Sequence, residues 1–178
     1  MSHRPVMKIL FTFNHAHEHN LWRPIDDSVM GGVSQTRLRI TEDGVAVFSG
    51  TVSLENNGGF ASIRSTPREM NLSGYLGIVI RVKGDGKAYK LNLKNDTDFE
   101  GILYQQRFAT RGREWEVIHL PFEGFDPKFR GRVLSDAPPL DVRKIQTFGF
   151  MISDKQAGPF TLEIDWIQAY QRIGNHGE

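Results

Sequence analysis

Two segments, Trp22-Arg23-Pro24-Ile25-Asp26-Asp27-Ser28-Val29-Met30-Gly31-Gly32-Val33-Ser34 and Leu54-Glu55-Asn56-Asn57-Gly58-Gly59-Phe60-Ala61-Ser62-Ile63-Arg64-Ser65, enclose an alternating run. Across it Thr36, Leu38 and Ile40 alternate with Arg37 and Arg39, and Ala46, Phe48, Gly50, Val52 and Leu54 alternate with Val47, Ser49, Thr51 and Ser53. A period of two is the pattern of a half-buried strand, and Thr41-Glu42-Asp43-Gly44 is turn chemistry, so the run predicts a β-hairpin. Each glycine pair follows polar or acidic residues and precedes a strand-like run. Such pairs mark a bend or bulge, where the backbone takes positive φ or approaches another segment too closely for a Cβ. Asp27 reads as the cap of the turn ahead of Gly31, accepting backbone N–H bonds.

Outward from this hairpin the same rhythm continues. Val6 to Phe13 is a short apolar segment, and Phe60 to Ser65 is a strand closed by Pro67. Gly77 to Lys83 reads as a buried strand, joined through Gly84-Asp85-Gly86 in a hairpin to Tyr89–Lys94, where Tyr89, Leu91 and Leu93 face one way. Ile102 to Ala109, Trp115 to Leu120, Ile145 to Ile152 and Phe160 to Tyr170 complete the series, with Phe160, Leu162, Ile164 and Trp166 expected inward. Pro121 to Pro139 is rich in proline and glycine and reads as an ordered surface loop. Its phenylalanines Phe122, Phe125 and Phe129 either latch onto the end of the fold or dock a partner. About nine or ten short strands without a helical pattern give an all-β fold, an antiparallel jelly-roll β-sandwich, in one domain over residues 1–178.

Composition narrows the function. The chain has 178 residues, no cysteine and a net charge of +1. That removes a disulfide framework and a thiolate site, and argues against nucleic acid as a partner. The run Ile9-Leu10-Phe11 is shorter than a signal-peptide core or a membrane span, so the expectation is a cytoplasmic protein that meets a membrane through a client. No Gly-x-Ser-x-Gly, His-Glu-x-x-His or dinucleotide fingerprint occurs. Asp26 and Asp27 are adjacent, and neighbours on an extended segment point oppositely, so they do not form a glycosidase pair. His15, His17 and His19 lie among Asn14, Glu18 and Asn20 and read as a solvated loop. Glu163 and Asp165 are a thin oxygen set for calcium. No cofactor and no metal are expected.

Polar residues that recur in mid-strand are candidates to line one sheet of a jelly roll: Arg64, Arg81, Asn92, Gln105 and Arg107. Tyr104 beside Gln105, Arg107 and Asn92 would suit a sugar, whose apolar face stacks on a ring while its hydroxyls pair with amide and guanidinium groups. Tyr104 and Gln105 point to opposite faces of a regular strand, so one of the two joins the site.

Trp22, Asp27-Ser28-Val29-Met30-Gly31-Gly32-Val33-Ser34, Phe48-Ser49-Gly50, Asn57-Gly58-Gly59-Phe60-Ala61-Ser62-Ile63-Arg64, Gly84-Asp85-Gly86, Tyr104, Trp115, Pro121-Phe122 and Gly149 together resemble the complex I intermediate-associated protein family, from about Phe13 to Tyr170. The resemblance implies a galactose-binding-domain-like sandwich, in agreement with the strand reading. It further implies an assembly factor or chaperone for the NADH:ubiquinone oxidoreductase that works by transient contact with complex I subunits or intermediates rather than by catalysis. A carbohydrate-binding sandwich is the alternative.

Overall fold

The computed structural model describes residues 7–14, 21–26, 34–55, 59–98 and 101–171. Alternation in these segments becomes thirteen strands among the described residues: β1 Met7–Thr12, β2 Trp22–Asp26, β3 Gln35–Ile40, β4 Ala46–Val52, β5 Ala61–Ser65, β6 Gly77–Lys83, β7 Ala88–Lys94, β8 Leu103–Ala109, β9 Trp115–Pro121, β10 Asp126–Phe129, β11 Arg132–Val133, β12 Thr147–Ile152 and β13 Gly158–Tyr170. No α-helix occurs among the described residues. The strands pair antiparallel in two sheets. One has the order β3-β4-β13-β6-β9, with β1 also on β13; the other has the order β11-β10-β8-β7-β12-β5-β2.

Each strand turns alternate side chains into the space between the sheets. Phe48, Phe148, Phe150, Leu91, Leu93, Ile78, Ile80, Leu162 and Ile164 are fully enclosed there. Each such side chain stabilises the fold by roughly 1.5–3 kcal/mol. Aromatic rings interlock edge to face, Phe48 with Phe160 at 4.9 Å and Phe11 with Trp22 at 5.0 Å between centroids. Trp22, expected as a structural landmark, is buried at this point and also packs on Phe150. The β3–β4 hairpin forms as its pattern predicts, with Gly44 N–H bonded to the Thr41 carbonyl at 3.0 Å. Asp27, Gly31, Gly32, Asn57 and Gly58, and the histidines 15, 17 and 19, lie outside the described residues; Gly59 lies within them at φ +129°.

Three expectations are corrected. The Gly84-Asp85-Gly86 turn closes no hairpin: β6 belongs to the β13 sheet and β7 to the β12 sheet, so the turn carries the chain across the sandwich. Asp85 holds the crossing. Its Oδ1 accepts from Lys87 N–H at 3.1 Å and from the Tyr89 hydroxyl at 3.0 Å, and its Oδ2 accepts from Thr161 N–H at 2.9 Å. Trp166 does not continue the inward row of Phe160, Leu162 and Ile164, because a bulge between Ile164 and Trp166 shifts the register against β6 and brings Ile167 and Ala169 inward instead.

The segment 121–139 is more ordered than a loop. It holds a 3-10 turn, Phe122–Gly124, and the edge hairpin β10–β11. Arg130 and Gly131, at φ 51° and 83°, make the left-handed turn that a two-residue hairpin needs, and Pro127 is tolerated in so short an edge ribbon. Phe125 is buried and Phe122 packs against the core, so these two are latches. Phe129 is 38% exposed under the Arg130 guanidinium and latches nothing.

Replacing Phe125 by Ala should cost about 3 kcal/mol or more in urea unfolding, whereas Phe129→Ala should stay within about 0.5 kcal/mol of the parent.

Candidate functional site

The outer side of the seven-stranded sheet carries the polar residues singled out from the sequence. Register places Arg23, Arg64, Gly149, Asn92, Gln105 and Asp126 opposite one another on β2, β5, β12, β7, β8 and β10, in one row across the sheet. The row two residues along holds Ile25, Ser62, Met151, Lys90 and Arg107. On the other flank Thr147 faces Lys94.

An outward sheet face is ordinarily wet. This one is sunken. Asn92 is 6%, Lys94 1% and Gln105 7% exposed, and Ser62 and Thr147 are buried too. Gly149 sits at the centre, between Asn92 and Arg64, and a Cβ built there would lie 2.8 Å from the Ile63 carbonyl oxygen, so a side chain is disfavoured at that point of the row. Beside the row, towards β10, a cleft of about 200 Å³ is lined by Lys90, Gln105, Arg107, Asp126, Lys128 and Asp154.

The polar groups are unevenly satisfied. Lys90 Nζ donates to Asp154 Oδ1 at 2.9 Å, and Arg107 Nε reaches Asp154 Oδ2 at 3.4 Å. Burial pushes the Asp154 carboxyl up, but hydrogen bonds and charge from Lys90 and Arg107 outweigh it and hold the group below the ordinary range. Gln105 Nε2 finds the Met151 sulfur at 3.6 Å, a weak acceptor. Asn92 Oδ1 is buried with no hydrogen-bond donor. Lys94 Nζ lies 3.2 Å from Asp96 Oδ1, within ion-pair range, yet no hydrogen bond is aligned. Burial lowers the Lys94 ammonium from its usual value against the opposing pull of Asp96. Burial, then the neighbouring Arg23 charge, lowers Arg64 while Asp96 opposes.

Arg81 and Tyr104 do not join this face. Arg81 is on β6, in the other sheet, and its guanidinium lies 2.6 Å from Asp165 and 4.5 Å from the centre of the Trp115 ring. Its strand pairs with β13 and β9 rather than with β7, which sequence periodicity alone does not reveal. Tyr104 turns into the core and donates its hydroxyl to the Pro138 carbonyl at 2.7 Å, while Gln105 takes the outward position. Glu163 and Asp165 pair with Lys83 and Arg81. No group of three or more His, Asp or Glu side chains is arranged to hold a metal among the described residues. Lys94, Gly149 and Arg23 were not foreseen as site residues. Lys94 had a signal, since Lys90, Asn92 and Lys94 alternate with Tyr89, Leu91 and Leu93.

With the geometry in place, comparison with known proteins decides the family. The family model described as Complex I intermediate-associated protein 30 matches residues 11–164. The chain belongs to the complex I intermediate-associated protein 30 family. The mouse protein of that name, described as mitochondrial, is 30% identical over 92% of this chain and 56% of its own length. The Drosophila melanogaster protein is 28% identical over 89% and 61%. The chain thus spans rather more than half of the curated relatives it matches. Among solved structures, a family 11 carbohydrate-binding module of Clostridium thermocellum has a TM-score of 0.72 at 18% identity, covering 96% of this chain and 98% of the module. The same module bound to a β-1,3-1,4-mixed-linked tetrasaccharide also gives 0.72. These likenesses show a shared β-sandwich, so the complex I intermediate-associated protein 30 family fold and the module fold are alike.

Because the Asp154 carboxyl is held below its ordinary value, its pairs contribute stability that is complete above the usual Asp pKa of about 3.9 and is lost as pH falls through the lowered value. Asp154→Asn should therefore flatten the dependence of Tm on pH in that acidic window, as followed by circular dichroism melts.

Proposed function

We propose that this chain is a single-domain, non-catalytic protein-interaction module serving the assembly of respiratory complex I, and that it docks clients on the sunken face bearing Arg64, Asn92, Gln105 and Arg107. Family membership supports the biological setting. The observation that carries the docking face is the buried Asn92 carbonyl oxygen, which lacks a donor. Burying such an acceptor unbonded costs about 1–3 kcal/mol, and a ligand N–H or O–H would recover that cost.

The chemistry of the face favours recognition over reaction. Its groups are guanidinium, ammonium, amide and hydroxyl, and its best-placed carboxylate, Asp154, is engaged by two cations. Catalysis needs a nucleophile or acid with an oriented partner. His119 is the imidazole among the described residues, and it packs edge-on to Tyr170 at 4.9 Å, in the other sheet. In this reading the client brings the chain to the membrane; no described helix is long and apolar enough to cross one.

A carbohydrate is the second reading, favoured by the donor and acceptor row of Arg64, Asn92, Gln105 and Arg107. It lacks a stacking platform, since the described strands turn no aromatic ring onto this face and Tyr104 points inward. Sugar recognition ordinarily draws on such a ring.

Affinity capture of the tagged chain should recover complex I subunits, and a deletion strain should accumulate incomplete complex I on native gels. Normal assembly in that strain, with no complex I subunit captured, would overturn the proposal. Glycan-array binding that disappears in an Asn92→Ala, Arg107→Ala double variant would move the reading to carbohydrate.

A further inference from the structure

The sunken face gathers several cations beside Gly149. Arg23 and Arg64 stand directly opposite each other on β2 and β5. Like charges so placed destabilise a sheet. Lys94, 1% exposed, faces Thr147 one step along from the Gly149–Asn92 pair, diagonal to Arg64, and burial disfavours its charge. A sheet of this kind would gain stability from an apolar residue at position 94. A buried lysine that costs stability is a local feature expected at a functional site.

The face also shows what it accepts. Asp96 lies two residues beyond the end of β7 and is 46% exposed on its side chain, and its carboxylate approaches both Lys94 and the field of Arg64. The chain's own carboxylate thus occupies the cation cluster from the solvent side with a misaligned contact. A better-aligned carboxylate from outside would replace it without exposing Lys94. An inorganic anion could pair with Lys94 but brings no N–H to the orphaned Asn92 oxygen. A peptide brings both. Arg64 and Asn92 are two strands apart, about 9–10 Å, which is the reach of about three extended residues.

We propose that the cluster of Arg23, Arg64, Lys94 and Asn92 around Gly149 binds an extended acidic peptide segment of the client, a carboxylate displacing Asp96 from Lys94 while a backbone N–H donates to Asn92 Oδ1. This deepens the docking reading above and rests on it. The segment lies across the strands, with its acidic side chain over Gly149, where the missing side chain gives it depth. Asp96 is the resting occupant, so it competes with the client and sets the affinity.

Isothermal titration and NMR of the full chain test this with a short peptide of alternating Glu and Thr, its Lys-for-Glu counterpart, inorganic phosphate, and a β-1,3-1,4-linked tetrasaccharide. The acidic peptide should bind in a salt-dependent manner and shift the Asn92 side-chain amide, and the other probes should not. Lys94→Met should weaken the acidic peptide about tenfold or more without lowering Tm, and Asp96→Asn should tighten it. A structural role for Asp96 would instead weaken binding, and that result overturns the proposal even if Lys94→Met fails to fold. Failure of the acidic peptide to bind, equal binding of the basic peptide, or the same shifts with phosphate or the sugar would overturn it as well. If complex I subunits are still captured in any of those cases, the assembly reading stands and the acidic-segment reading falls.

Discussion

The carboxylate of Asp85 is the point on which the two sheets depend. Three donors meet it: an amide of its own turn, the Tyr89 hydroxyl at the start of β7, and the Thr161 amide in β13. A charge-assisted hydrogen bond is roughly twice as strong as a neutral one, and here three of them converge from both halves of the sandwich. Tyr89 in turn fits among Phe48, Phe108 and Phe160, with centroids 6.3–6.4 Å away. Burial, then the Asp85 charge, pushes the Tyr89 hydroxyl above the ordinary tyrosine range, which favours its role as a donor. The acid thus fixes the crossing, and the crossing fixes which strands lie over which.

Once the crossing is set, β7 is central in its sheet and its two faces have opposite duties. Tyr89, Leu91 and Leu93 build the core, while Lys90, Asn92 and Lys94 rise on the other side. Two of those outward groups are nevertheless almost fully enclosed. The sheet therefore carries polar groups in a poorly hydrated setting, where an unmet acceptor is costly and a met one is strong. Lys90 is satisfied by Asp154, and Asn92 is not. That difference, more than the number of polar residues, separates a surface from a site.

Strand positions were legible in the sequence because they rest on local alternation. β6 appears at Gly77–Lys83 as read, β4 at Ala46–Val52, two residues short of the alternation that runs on to the exposed Leu54, and β13 with its apolar half as read as far as Ile164. What alternation does not carry is the partner of each strand. Arg81 and Asn92 look alike as mid-strand polar residues, yet they stand on opposite outer faces of the molecule, because β6 and β7 are separated by the Asp85 crossing rather than joined in a hairpin. The Trp166 error has a similar origin, since a single bulge reverses the parity of every residue beyond it. Tyr104 and Gln105 were correctly read as opposed, and the pairing with β7 decides that Gln105 faces out. The short ribbon of β10 and β11 hid behind its proline and glycine, residues that usually signal loops.

The bulge in β13 leaves one more mark. By turning Trp166 away from the core, it leaves Trp22 as the indole enclosed between the sheets, packed on Phe11 and Phe150, while Trp115 lies against Arg81 and Lys83 outside. The three tryptophans of the chain therefore sit in different dielectrics. Their emission spectra separate naturally, a blue-shifted component from the interior and red-shifted components from the outer side of the β13 sheet, so the molecule carries its own optical label for telling loss of packing from an event at its surface.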